Sequence, residues 1–363
     1  MASSHIGLLA KIWTFLPAGL RNNRGIRALA HRLKSFLITP QPGQASHVAV
    51  EHTPVTNEAP SAPVSDQAVF IPGVPVISSL AELDHMLAKL DQAALISDDE
   101  LRRGFTQFQM RFPLALPDDP DSDLYRQKQF ELYEHLSGKA YRPANEVSQF
   151  DVENALARPF PFSSRSAQTV GHHLISIGHL IRTMNLPAGA RILEFGPGWG
   201  NTTLWLSQMG YQVTAIDIEA NFIELIQRRA QGNGVNIDAR VGDFSEIANY
   251  HKEYDAVLFF ECFHHCSDHQ ALIAKLDQVL TNDGIAVFAA EPILEAFPIP
   301  WGLRLDGESL WAIRKFGWLE LGFKESYFRA LLLKHGWQAE KFHCPETPWG
   351  EIFVARRLPR THE

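Results

Sequence analysis

The sequence predicts an α/β fold: a largely parallel sheet of seven strands, helices on both faces, and a smaller helical region ahead of it. Three observations predict it. From Arg191 onward, short apolar runs alternate with segments of helical periodicity, the pattern of strand–helix–strand units. Between the first run and the first helix, three glycines, Gly196, Gly198 and Gly200, fall within five residues. The last two apolar runs are too close for a helical crossover, so they are expected to pair antiparallel.

The chain has 363 residues, 45% hydrophobic and 20% charged, enough for two domains or one large domain with an extension. No stretch approaches the ~20 uncharged apolar residues of a membrane-spanning helix. Three cysteines, Cys262, Cys266 and Cys344, make no disulfide framework in a chain this long, so a reducing, cytoplasmic setting is expected. The net charge of −8 is unevenly placed. Residues 1–50 carry six basic side chains and no acid, and the other 313 residues carry 27 basic and 41 acidic. An acidic body argues against a nucleic-acid partner, because phosphate contacts come from Lys and Arg.

Residues 1–38 mix apolar and basic side chains, with helical spacing at Ile26, Leu29, Ala30, Leu33 and Leu37. A basic amphipathic helix suits an anionic membrane surface, so peripheral contact on the inner face of the membrane is expected. Residues 39–78 are rich in proline and small residues and read as a flexible linker. Residues 79–166 read as a helical cap. Ser79 with Glu82, and Ser97 with Glu100, form capping-box patterns ahead of apolar periodic runs. "PLALPDDPDSD" interrupts the periodicity and "LYRQKQFELYEHLSG" resumes it. A further helix over about 167–184 opens the domain expected over 167–363.

In that domain, "RILEF", "QVTAIDI", "VNIDARVGD", "YDAVLFFE", "GIAVFAAE", "WQAEKFHC" and "EIFVARR" are the expected strands. In an open parallel sheet, ligands sit beyond the carboxyl ends of the strands, where strand order reverses. Glycines there allow a ligand close to the main chain. Asp217 ends the second strand, 19 residues beyond Gly198, a spacing that suits a carboxylate accepting from both ribose hydroxyls. A dinucleotide would prefer G-x-G-x-x-G and a pyrophosphate on the helix terminus. Here the third glycine comes one residue early, and Glu194 stands just before the loop. A carboxylate there repels phosphate and suits a cationic ligand.

Residues 167–357 resemble a class I S-adenosylmethionine-dependent methyltransferase, a Rossmann-like fold with a reversed last strand. "LEFGPGWGN", "TAIDIE", "VGDF" and "FFECFHH" match that family's motifs in order. The resemblance implies S-adenosyl-L-methionine as cofactor. Glu194, Gly196 and Gly198 would serve its methionine part and Asp217 its ribose, with Trp199, Asn201 and Ile218 as further cofactor contacts. Asp243 and Phe244 would meet its adenine, with Glu261 and Cys262 along the fourth strand's end. A DNA adenine acceptor is disfavoured, because no Asn/Asp-Pro-Pro-aromatic motif ends that strand.

Methyl transfer to a hydroxyl benefits from a base. His264 and His265 stand just past the fourth strand, and the sequence does not choose between them, although His264 follows the strand more closely. Glu291 is a second candidate, as base or substrate contact. Zinc on the "CFHHC" cluster is weighed and set aside, because a strand bending into a helix would point those residues apart; no metal site is expected, although some sugar methyltransferases use carboxylate-bound magnesium. The long segment 292–324 holds Trp301, Trp311 and Trp318 among Arg304, Asp306 and Arg314. Trp301, Arg304 and Asp306 are the expected acceptor contacts, and an aromatic–polar surface suits a sugar or glycan precursor. Together with a resemblance to methyltransferases of bacterial surface-polysaccharide biosynthesis, this gives O-methylation of such an acceptor as the expectation. The alternatives are another small molecule (a natural product or lipid), a non-catalytic cofactor-binding partner, or a hydrophobic lid in place of an acceptor loop.

Overall fold

The computed structural model describes residues 73–148 and 150–359, together with 66, 67 and 71. The basic segment expected over 1–38, and most of the linker expected over 39–78, lie outside the described residues. The last residues of that linker belong to the folded body, since Val76–Ile77 pairs in parallel with Gln109–Met110.

Seven strands form one sheet: β1 (Arg191–Phe195), β2 (Gln212–Asp217), β3 (Asp238–Val241), β4 (Tyr254–Phe260), β5 (Leu280–Ala289), β6 (Trp337–His343) and β7 (Glu351–Arg357). Their order is β6-β7-β5-β4-β1-β2-β3. β3, β2, β1, β4 and β5 run parallel. β7 pairs antiparallel with both β5 and β6, as the short connection between the last two runs requires. β1 and β4 are central and buried on both faces, so they carry no polar alternation. The loops that leave them diverge on either side of the point where strand order reverses, and that opens a crevice.

Helices α1 (Leu80–Ile96), α2 (Asp98–Phe105) and α3 (Asp123–Ser137) form the cap. Ser79 and Glu82 make a reciprocal capping box on α1, and Ser97 caps α2 by accepting from the Glu100 amide. The short helix α4 (Val152–Ala157) leads to α5 (Ala167–Met184). The sheet is then covered by α6 (Asn201–Gln208), α7 (Ala220–Asn233) and α8 (His269–Val279). No described helix is long and apolar enough to cross a membrane.

The segment after β5 folds as a small unit of its own. Trp301–Leu303 pairs antiparallel with Leu321–Phe323, and helix α9 (Gly307–Phe316) lies between them; α10 (Glu325–Lys334) follows. This unit is welded to the cap. The Met110 amide donates to the Leu305 carbonyl at 2.9 Å. The Tyr125 hydroxyl donates to the Trp301 carbonyl at 2.8 Å and that of Tyr133 to the Gly317 carbonyl at 2.6 Å. Arg314 forks onto Asp84 at 2.9 and 3.1 Å. Leu87, Phe105 and Tyr133 of the cap share one hydrophobic cluster with Trp311 and Trp318 and with Phe259 and Phe288 of the sheet. Cap, insertion and one sheet face therefore have a common core.

Candidate active site

A cavity of about 330 Å³ lies at the carboxyl ends of β1, β2 and β4, closed on one side by Tyr141, Pro143 and Glu146 from the cap. A smaller one, about 70 Å³, shares Gly196 and Glu261 with it and runs under the glycine loop.

The loop's path needs its glycines. Gly196 and Gly200 have φ of 59° and 69°, in the left-handed region that side chains rarely enter. A Cβ at Gly196 would stand 2.5 Å from the Cys262 Cβ, and one at Gly200 would stand 2.4 Å from Ile226. The loop is tied to β2: the Gly196 amide donates to the Ile216 carbonyl at 2.8 Å, and the Gly198 amide donates to Asp217 Oδ2 at 3.0 Å.

Asp217 lines the larger cavity and is only 6% exposed. Its Oδ1 accepts the Glu219 amide at 2.9 Å. Both oxygens are thus tied to the backbone of the loop and of the turn after β2. The helix-capping task next to it belongs to Glu219, which accepts the Asn221 amide at the start of α7; burial raises the Glu219 carboxyl above its usual range. Asp243 accepts the Ser245 amide at 2.8 Å and lines the cavity with Ile218 and Phe244.

At the end of β4, Glu261 has φ of 54°, a conformation that costs a non-glycine residue ~1–3 kcal/mol. Its carboxylate accepts from Trp349 Nε1 at 2.7 Å and borders both cavities. Cys262 Sγ donates to the Phe195 carbonyl at 2.9 Å. Burial drives the Cys262 thiol well up and the Cys266 thiol to about 12, so neither is a thiolate.

The structure separates the two histidines that the sequence left equal. His265 lines the larger cavity and His264 does not. His265 Nδ1 is 2.5 Å from the Leu319 carbonyl oxygen, which only accepts, so Nδ1 carries the proton and Nε2 the lone pair. Glu146 Oε2 lies 3.4 Å from the same Nδ1, and Glu146 Oε1 accepts the Leu319 amide at 2.7 Å. His264 is 2% exposed, turned behind the wall.

Glu291, expected as base or substrate contact, instead holds the turn. Its Oε1 accepts the Cys262 and Phe263 amides, each at 2.8 Å, and its Oε2 accepts from the His264 amide at 3.1 Å and ring Nδ1 at 2.7 Å.

The other expected residues lie around the loop and in the insertion. Glu194 lines neither cavity; it is wholly buried beneath the loop and accepts the Thr203 hydroxyl at 2.7 Å. Burial pushes its carboxyl up to about 7. Trp199 and Asn201 border only the smaller cavity. Trp199 is packed on Phe150 and Phe222, and Asn201 spends its amide on the Phe160 carbonyl. Trp301, Arg304 and Asp306 form no acceptor surface. Trp301 is 2% exposed and donates to the Pro120 carbonyl, Arg304 is 6% exposed and pairs with Asp306, and Asp306 caps α9. The insertion is the lid packed on the cap. Sequence reasoning missed Tyr141 and Glu146, because nothing local marks a cap residue that meets the sheet only through tertiary packing.

Residues 193–288 match the methyltransferase domain family. Curated relatives include a ubiquinone biosynthesis O-methyltransferase of Xanthomonas axonopodis pv. citri, 32% identical over 99 residues, covering 27% of this chain and 41% of that protein. One of the same name from Azorhizobium caulinodans is 29% identical over 110 residues, covering 30% and 44%. The chain thus spans less than half the length of these relatives. A solved Burkholderia thailandensis 1,6-didemethyltoxoflavin-N1-methyltransferase, with bound 1,6-didemethyltoxoflavin and S-adenosylhomocysteine, is 18% identical, covering 68% of this chain and 95% of that one, with a TM-score of 0.41. The match over residues 193–288 to the methyltransferase domain family makes S-adenosyl-L-methionine the cofactor to test against the site.

The residues present fit that cofactor. Six carboxylates border the larger cavity (Glu146, Asp217, Glu219, Asp243, Glu261 and Asp268) against one lysine, Lys275. Such a wall suits a ligand with sulfonium and ammonium charges and no phosphate. Asp217 offers acceptors for a diol, and Ile218 and Phe244 offer apolar faces for a base.

Proposed function

We propose that this chain methylates an oxygen of a small hydroxyl-bearing acceptor. The observation that carries the reading is the acidic cavity with His265 in its wall and cap residues closing it. In favour of oxygen stand the named O-methyltransferases among its relatives. The sugar or glycan expectation rested on Trp301, Arg304 and Asp306 and on a resemblance; the burial of Trp301 and Arg304 and the capping role of Asp306 remove the first ground, and the reading is a small acceptor. A polysaccharide pathway and an inner-membrane location have no support among the described residues.

When bound, S-adenosyl-L-methionine supplies an activated methyl group. The chain's own residues bind, orient and handle the proton. Asp217, with Gly196 leaving space beside it, holds the ribose diol; Ile218, Asp243 and Phe244 receive the adenine; Glu261 faces the cationic end. His265 takes the acceptor's hydroxyl proton at Nε2. Its Nδ1–H stays on the Leu319 carbonyl, and Glu146 stabilises the imidazolium that forms. Glu291 fixes the turn that aims the ring. The cap closes one side of the cavity through Tyr141, Pro143 and Glu146, and lower solvent access there strengthens such electrostatic contacts.

The test is calorimetry with S-adenosyl-L-methionine, followed by a labelled-methyl assay over small phenols, alcohols, amines and sugars. Label on oxygen of a small acceptor is the expected result. No binding of the donor, or label only on nitrogen or carbon, overturns the proposal.

A further inference from the structure

Behind the cavity wall, His264, His265 and Glu320 each offer one donor atom, and the three atoms lie within 4.8 Å of one another. Glu320 comes from the insertion, just before its second strand, while the histidines come from the turn after β4. No sequence motif joins them; the docking of the insertion against β4 does.

We propose that these three side chains form a binding site for a divalent transition ion of the zinc type. The first ground is which atoms are left over. His264 Nε2 and Glu320 Oε1 are buried and have no hydrogen-bond partner, in residues 2% and 3% exposed. A buried polar atom without a partner costs ~1–3 kcal/mol, and the two side chains that carry these atoms meet at one place. The second ground is spacing. His264 Nε2 and Glu320 Oε2 are 3.6 Å apart, beyond a hydrogen bond. Two donors each about 2.1 Å from one tetrahedral ion stand about 3.4 Å apart.

The third ground is the setting of the rings. The Glu291 carboxylate already accepts three backbone amides, so it accepts from His264 Nδ1–H as well and leaves the lone pair on Nε2. His265 donates Nδ1–H to the Leu319 carbonyl, with the same result. Metal-bound histidines are held this way, the second ring nitrogen donating to a carboxylate or carbonyl. The fourth ground is charge. Arg304, 3.9 Å from Glu320, is engaged at 3.0 Å by Asp306. Glu308, also buried close by, has both oxygens without a partner and its carboxyl driven well up by burial. Asp306 thus holds Arg304 closer than Glu320 does.

Two imidazoles and one carboxylate suit zinc, cobalt(II) or iron(II). Magnesium prefers an oxygen shell. Three protein ligands leave a position for water or an acceptor oxygen. A proton and an ion exclude each other at His265 Nε2. A chain loaded with the ion would therefore lack the base assigned to His265 above. The site itself stands whether or not the chain transfers methyl groups.

The experiment titrates the full chain, freed of metal by chelation, with Zn²⁺ by calorimetry and with Co²⁺ by visible absorption, without methyl donor or acceptor. Glu320→Gln and His264→Ala are compared with wild type and with a change at the exposed His251, His251→Ala. Saturable uptake of one ion is expected, with intense low-coordinate cobalt bands. Affinity should fall at least tenfold in Glu320→Gln and His264→Ala and stay unchanged in His251→Ala. The near-isosteric Glu320→Gln carries the test if His264→Ala misfolds, as judged by its melting curve. No stoichiometric uptake by wild type, or uptake that Glu320→Gln leaves unaltered, overturns the proposal. Because no donor is present, failure here is distinct from failure of the methyltransferase reading.

Discussion

The loop after β1 and the insertion after β5 both stand at the carboxyl edge of one sheet, and they use their side chains in opposite ways. Around the loop, the backbone presents amides and open space, and acids such as Asp217 and Glu261 keep oxygen atoms toward the cavities. In the insertion, tryptophans and charged groups face one another and the cap; Trp301, Trp311 and Trp318 are each at most 2% exposed. The first region is built to receive a ligand, and the second to hold a wall in place. Polar and aromatic residues at a sheet's ligand edge are therefore not by themselves a binding surface. What decides is whether their hydrogen bonds are already satisfied inside the protein.

The sharpest way to break this contrast is at the one point where the two regions meet. His265 belongs to the β4 turn but is aimed by Leu319 of the insertion. His265→Ala is expected to lower turnover by ~10²–10⁴-fold while donor binding, read by calorimetry, stays within about threefold. Full activity in the variant would move the proton acceptor elsewhere. Trp301→Ala tests the wall. Removing a buried tryptophan costs about 3–5 kcal/mol, seen as a lower denaturation midpoint, and Trp301→Phe should restore most of it with turnover near wild type. If Trp301→Phe instead raises KM for the acceptor with stability intact, Trp301 is a ligand contact after all.

Asp217→Ala sharpens the other side. It removes a charged acceptor facing the cavity and also unties the Gly198 amide. Charge-assisted hydrogen bonds contribute ~1.5–3 kcal/mol, so affinity for S-adenosyl-L-methionine should fall about 10- to 100-fold, with a lower melting temperature because the Gly198 and Glu219 amides lose their acceptor. Unchanged affinity would remove the ribose assignment.

These residues also show what the sequence made legible. The sheet, its reversed last strand, the glycine loop, Asp217, Asp243 and Glu261 lie in contiguous stretches whose period and spacing carry the information. The α5 helix and the Ser79 capping box were equally local. Glu146, Glu320 and the choice of His265 over His264 depend on contacts from 54 to 173 residues away, and no short window contains them. Trp301, Arg304 and Asp306 misled for the same reason. Their composition matched a sugar site, and only their contacts in the fold, Trp301 on the Pro120 carbonyl and Arg304 on Asp306, show that they are spent.

The smallest effect tests a buried group under the loop. Glu194 titrates near 7 in the folded chain against an ordinary 4.5, because burial disfavours its charge. The folded state therefore holds that proton more tightly than the unfolded state. The stability it confers is complete below about pH 4.5 and is lost as pH rises to about 7, a swing of about 1–3 kcal/mol. Two buried histidines act on the acid side with the opposite sign: burial depresses His173 to about 4 and His269 to about 3, so their contribution is lost as pH falls below about 6.5. Melting curves of wild type alone would mix the three. In Glu194→Gln the amide cannot ionise, and the histidine contribution is common to both chains, so the difference between the two curves isolates Glu194. That difference should shift in favour of Glu194→Gln as pH climbs from 5 to 8. A difference flat with pH would mean that the carboxyl under the loop does not change its ionisation between pH 5 and 8, against a value raised by burial to about 7.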